Sequence, residues 1–106
     1  MNYHAHIYWR NEEEREIALS LRLELHDIGC GLGRIKNNAI GPHPFPMYQV
    51  MYEESIKKVV EQYLWGNAET LSILLHENLG EDHKRDHTLG ARWIGEKLDL
   101  RLEVFD

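Results

Sequence analysis

The chain has 106 residues, 42% hydrophobic and 28% charged, with net charge −6 and a pI near 5.6, which predicts one globular domain over 1–106. Its 12 Lys and Arg form no long basic run, so it lacks the basic footprint that nucleic acid or anionic lipid requires. No apolar run approaches the roughly 20 residues of a membrane span, the start has no signal-peptide pattern, and the lone Cys30 permits no intrachain disulfide. These features point to a cytoplasmic protein.

Tyr3–Trp9 alternates as a strand, with Tyr3, Ala5, Ile7 and Trp9 on one face and His4, His6 and Tyr8 on the other. Asn11 then offers a helix cap, Glu14 occupies the capping-box position, and Glu12–Glu14 suit the positive end of the helix dipole. Ile17, Ala18, Leu21 and Leu25 form a helical stripe, although Leu19, Leu21, Leu23 and Leu25 also alternate as a strand would. The cap and the good helix formers favour the helix. Gly29, Gly31 and Gly33 end it and lead into a short strand near Leu32–Lys36. Their spacing does not make a dinucleotide fingerprint, and Cys30 among them is expected to be structural.

Asn37-Asn38 and Gly41-Pro42-His43-Pro44-Phe45-Pro46 form a stiff, turn-rich loop. Met47–Tyr52 is a strand of large side chains. Ile56, Val59, Val60, Tyr63 and Leu64 follow at helical spacing, with Gly66-Asn67 as the stop. Leu71–His76 is another strand, Glu77–Asp86 a loop or short helix, and Leu98–Val104 a last strand with one wet face. The order β-α-β-β-α-β plus a terminal strand predicts an α+β, ferredoxin-like antiparallel sheet. Both helices would cover one face and leave the other for a ligand or a second copy. Tyr48, Val50 and Tyr52 offer more apolar surface than two helices easily cover, so a homodimer is expected.

Seven histidines are a surplus for this length, and imidazole serves both as a transition-metal ligand and as an acid or base near neutral pH. His4 and His6 share a strand face. In a ferredoxin-like sheet the first and fourth strands are antiparallel neighbours, which brings His76 to the same place. These three are the candidate metal ligands; the alternative is ordinary half-buried histidines bonded to backbone. Pro42 and Pro44 hold His43 in an extended, low-entropy conformation. Simple topology puts that loop at the far end of the sheet from His76, unless it folds back or the site spans two chains. His83 and His87, spaced four apart among Glu81, Asp82 and Asp86, could share a helix face or lie in a solvated loop. Trp93-Ile94-Gly95 suggests an aromatic wall and a turn.

Taken together, Tyr3-His4-Ala5-His6-Ile7-Tyr8, Gly41-Pro42-His43-Pro44, Met47-Tyr48-Gln49-Val50, His76, Asp86-His87-Thr88 and Trp93-Ile94-Gly95-Glu96 resemble the DOPA 4,5-dioxygenase family nearly end to end. The resemblance implies one domain of that kind and extradiol cleavage of a catechol-type aromatic such as DOPA by dioxygen. A divalent transition metal, Fe(II) above all, would be held by few ligands that leave room for both catechol oxygens. His43 or His87 would be the catalytic acid or base, and Tyr8, Tyr48 and Trp93 would line the substrate. Two other functions are compatible with the residues: a non-catalytic dimeric module binding a small aromatic ligand, and a hydrolase whose histidine-bound ion activates water.

Overall fold

The strand expected at the N-terminus forms the middle of the sheet, where its side chains are buried on both faces. The computed structural model describes residues 2–78 and 91–101. Its elements in chain order are β1 (Tyr3–Tyr8), α1 (Glu12–Ser20), α2 (Arg22–Ile28), β2 (Gly31–Leu32), β3 (Met47–Tyr52), a 3-10 turn (Glu54–Ile56), α3 (Lys57–Asn67), β4 (Ser72–Glu77) and β5 (Ala91–Ile94). The sheet has the order β2-β3-β1-β4-β5, and every pairing is antiparallel. This is the ferredoxin-like arrangement with one additional strand beside β4.

The helix prevails over the alternating leucines. Asn11 accepts a hydrogen bond from the Glu14 backbone N–H at 2.9 Å. Glu14 reaches back one residue further than a capping box does, accepting from the Arg10 backbone N–H at 3.0 Å and its guanidinium at 2.8 Å. Ala18, Leu21 and Leu25 turn inward while Leu23 is 74% exposed, so a strand's shared face for the leucines is never formed. The helix is interrupted at Leu21, and α2 ends on Gly29 in the left-handed conformation, φ 118°. There the Cys30 N–H bonds back to the Leu25 carbonyl at 3.0 Å, closing the turn as a Schellman motif does. Cys30 is buried, which pushes its thiol up to about 11; it is a packed side chain and not a ready nucleophile.

The helices cover the face of the sheet that carries Ala5, Ile7 and Trp9. Ala18, Leu21, Leu25, Val60 and Leu64 pack there against Tyr48, Val50 and Tyr52. Those three β3 residues are fully buried within one chain, so the surplus apolar surface that argued for a homodimer is accounted for without a second copy. α3 ends on Asn67, where the sequence placed its stop, and the turn that follows contains Glu69 with φ 50°.

Alternation placed a last strand at Leu98–Val104; its described part, Leu98–Arg101, is not strand, and the rest lies outside the described residues. β5 is Ala91–Ile94, on the edge of β4. Gly95, with φ 79°, turns the chain off the edge, and a Cβ there would run into the Leu71 carbonyl oxygen. Leu98 and Leu100 then pack over the other face of the sheet with Tyr8, Met47 and Leu74. Their alternation reflects one apolar side of a segment that has no ladder partner among the described residues. β2 is likewise shorter than expected, continuing only as an isolated bridge between Lys36 and Met47.

Candidate functional site

The strand register assembles the site. On β1, His4, His6 and Tyr8 point away from the helices, and His4 stands directly opposite His76 of β4. His6 and His76 are almost fully buried, His4 half-buried. The Nε2 atoms of His6 and His76 are 2.9 Å apart, and ring nitrogens of His4, His6 and His76 all lie within 4.8 Å of one another. The expected metal-ligand set is thus brought together by backbone pairing alone.

The chemistry of these donors fits an ion. His76 Nδ1 lies 3.1 Å from the Glu77 carbonyl oxygen. A carbonyl only accepts, so Nδ1 carries the proton and Nε2 keeps its lone pair toward His6. Metal-binding histidines are commonly oriented in this way by a bond from the other ring nitrogen. Two ligands about 2.1 Å from one ion can be up to about 4.2 Å apart, and the His6–His76 pair is well inside that reach. The set of three spans up to 4.8 Å, so holding one ion with all three would take a small side-chain adjustment; imidazole donors suit zinc, copper, iron or nickel.

His43 joins this cluster although its loop starts at the other end of β1. Gly41, at φ 61°, makes a tight turn closed by the His43 N–H bonding to the Ile40 carbonyl at 3.1 Å. The Pro42 carbonyl accepts from the Arg101 N–H at 2.7 Å, and the Pro46 carbonyl from the Trp9 N–H at 3.2 Å. The loop is thereby pinned back over the sheet within one chain. His43 is buried, its ring centroid 4.5 Å from that of His6. Its Nδ1 is 2.6 Å from the Tyr8 hydroxyl. Burial pushes the Tyr8 phenol well above its ordinary pKa, so it stays protonated.

Trp93 stacks on Tyr8 with centroids 5.9 Å apart and planes at 25°. Together with Phe45, Met47, Leu74 and Leu98 they make an apolar floor beside the imidazoles. Phe45 and Leu98 were not singled out from the sequence. Phe45 had a usable signal, since it shares the proline cage of His43; Leu98 had none, because its place depends on the turn at Gly95.

Tyr48 does not belong to this group. It lies on the helix side, donating to the Ala18 carbonyl at 2.5 Å with the Arg22 guanidinium 4.6 Å over its ring. The aromatic-slot role expected of it is therefore corrected to a core role. His87, expected beside His43 as a catalytic group, and His83 lie outside the described residues. A shallow groove along α3, lined in part by Lys57, Glu61 and Trp65, shares no residue with the histidine cluster.

A ferredoxin-like sheet with imidazoles gathered on the face away from α1, α2 and α3, beside an aromatic floor, defines a small α+β protein with a histidine-centred site. The profile of the Dopa 4,5-dioxygenase family matches residues 3–104, and the chain belongs to that family. It is 35% identical to a DOPA 4,5-dioxygenase of Amanita muscaria over 94% of this chain and 47% of the relative. An uncharacterised 21.2 kDa protein of Botryotinia fuckeliana is 32% identical over 95% of this chain and 60% of its own length. The chain thus spans about half the length of the curated relatives it matches. A crystal structure of a candidate dioxygenase from Nostoc punctiforme superposes with a TM-score of 0.91 at 36% identity, covering 97% of this chain and 89% of the other. Among the described residues no helix is long and apolar enough to cross a membrane.

Proposed function

We propose that this chain is a dioxygenase that opens the ring of a catechol-type aromatic such as DOPA, using a divalent transition metal, Fe(II), held by His4, His6 and His76. The observation that carries this reading is the convergence of those three imidazoles with His43 on one face of the sheet. Family membership and the Nostoc relative support the reaction class. His4, His6 and His76 would hold the metal, which would supply Lewis-acid and redox chemistry for the catechol oxygens and dioxygen.

The rest is assigned to the chain's own groups. Tyr8 and Trp93 form an aromatic wall for the substrate ring, and Met47, Leu74 and Leu98 keep water from its apolar edge. His43 presents its ring to the substrate's oxygens, next to the His6 imidazole.

The test is anaerobic loading with Fe(II), followed by air and a panel of catechols including DOPA. Formation of a coloured ring-opened product with consumption of one dioxygen per catechol is expected. Binding of the catechol without oxygen uptake under any metal would overturn the proposal, as would ester or amide hydrolysis with zinc as the sole activity.

A further inference from the structure

We infer that Gln49 and Lys36 form a polar flank of the histidine site that receives a carboxylate on the substrate's side arm, so that the preferred substrate is a catechol with an acidic arm. The register places both residues on the face of the sheet that carries the histidines. Gln49 stands directly opposite His6, and Met47 opposite Tyr8; antiparallel partners share a face. Lys36 pairs with Met47 through both backbone bonds, at 2.9 and 3.0 Å, and Met47 packs with Tyr8 and Leu74. Two rows of side chains therefore cross the sheet. One runs from Gln49 through His6 and Leu74 to Trp93, the other from Lys36 through Met47 to Tyr8.

The rows give the site two unlike sides. Beyond the histidines, toward β5, Trp93 and Tyr8 stack as an aromatic wall. On the β2 side stand an amide and an ammonium, both half-buried. Along β3 Gln49 lies between Met47 and Met51 on this face, and thioethers answer an amide's two donors and acceptor only weakly. Across from it the Gly33 N–H donates to the Gln49 carbonyl at 2.7 Å, and a Cβ at Gly33 would come within 3.4 Å of Gln49 Cβ. Glycine thus leaves the amide uncrowded on that side. A carboxylate only accepts, so it matches the Gln49 N–H and the Lys36 ammonium together, and the charged bond is the stronger kind. Strands lie about 4.8 Å apart, which puts Gln49 one spacing from β1 and Lys36 two, the scale of an aromatic ring with a short arm. The catechol rests on the dioxygenase reading; the preference for a carboxylate does not.

The test compares 3,4-dihydroxyphenylpropionate with 4-methylcatechol, which share the ring and its hydroxyls and differ in the carboxylate. Affinity for each is measured by titration calorimetry on the zinc-loaded full chain, and kcat/KM on the chain loaded with Fe(II). The wild type should prefer the acid. Gln49→Leu and Lys36→Met should each lower the acid-to-neutral affinity ratio by about 10- to 100-fold, the range of a hydrogen bond to a charged group. Gln49→Glu keeps the size, sets a negative charge against the carboxylate, and should lower the ratio further. Added salt should reduce the wild-type ratio more than that of Lys36→Met. Metal content, measured for every variant, shows that the histidine site is intact. Equal affinity of the wild type for both ligands, a ratio unchanged in either Gln49→Leu or Lys36→Met, or both ligands weakening in step would overturn the inference. An acid preference that the variants lose, without oxygen uptake on either catechol, would sink the dioxygenase reading and leave the flank standing. Ring opening with an unchanged ratio would do the reverse.

Discussion

His6 and His76 meet Nε2 to Nε2 at 2.9 Å across two neighbouring strands, seventy positions apart in the chain. Neither side chain can leave without moving the sheet, since both are almost fully buried. With no ion between them the contact needs one proton, which must come from His6, because the Glu77 carbonyl holds the proton of His76 on the other ring nitrogen. A metal ion held by both Nε2 atoms would require that proton to move to His6 Nδ1.

The first prediction concerns that pair. His76→Ala removes a ligand from a rigid strand, and His6→Ala removes its partner. Each should reduce bound metal well below one ion per chain, measured by elemental analysis after gel filtration. The His6→Ala/His76→Ala double variant should bind none. Stoichiometric metal in the double variant would show that the ion, if present, sits elsewhere.

Glu61 anchors α3 to the sheet on the opposite face. It accepts from the Tyr52 hydroxyl at 2.9 Å, Arg92 at 2.8 Å and Lys57 at 3.2 Å. Desolvation pushes its carboxyl up, but the bonds from Arg92 and Tyr52 more than offset this and hold it below its ordinary value. A carboxyl with a depressed folded pKa contributes stability above its unfolded pKa, and that contribution disappears as the pH falls through the folded value. Wild type should therefore lose Tm more steeply than Glu61→Gln between about pH 5 and pH 3. Above that window Glu61→Ala should cost about 1–3 kcal/mol in urea unfolding, chiefly from the stranded Tyr52 hydroxyl. The half-exposed Arg92 adds little. Parallel pH profiles for wild type and Glu61→Gln would contradict this account.

Much of this architecture is visible in the residues themselves. The two-residue period of Tyr3–Tyr8 assigns His4, His6 and Tyr8 to one face, and the ferredoxin-like order then places His76 beside them. The misassigned Tyr48 shows what periodicity lacks. Alternation separates Tyr48, Val50 and Tyr52 from Met47, Gln49 and Met51, but it does not say which set meets the helices. The bulk of the first set was the clue, because aromatic and branched residues at every second position fill a core. Leu98 and Leu100 failed for a related reason: one apolar side is shared by strands and by extended segments that merely lie on a surface. The return of His43 was not legible at all. It depends on bonds between distant backbone groups, Arg101 to Pro42 and Trp9 to Pro46, that leave no local pattern.

Gly95 tests the placement of the C-terminal segment. Its left-handed backbone costs any L-residue about 1–2 kcal/mol, and the Leu71 carbonyl oxygen occupies the space a Cβ would need. Gly95→Ala should destabilise the fold by at least that amount, whereas Gly66→Ala, which meets nothing within 4 Å and sits in α3, should be neutral or stabilising. Because β5 carries Trp93, the Gly95 variant should also change tryptophan fluorescence through loosened stacking on Tyr8. Equal stability of the two variants would mean that the turn at Gly95 is not as described.

The last prediction separates hydrogen bonding from mere loop shape at His43. The imidazole is buried against His6 and held by Tyr8, so truncation removes a fixed donor from a site with little water. Loss of one such donor typically lowers kcat by about 100- to 1,000-fold, and His43→Ala should fall in that range with metal content unchanged. His43→Gln offers an amide that both donates and accepts, so it can bond to the Tyr8 hydroxyl and still reach the substrate. It should therefore recover part of the rate, while a glutamine cannot restore a lost metal ligand set of imidazoles. Metal content falling in step with activity in both variants would make His43 a ligand after all. Full activity in His43→Ala would reduce it to a rigid corner of the loop. The comparison needs only steady-state rates and metal analysis on three proteins, and the metal count keeps a damaged site from being mistaken for a missing donor.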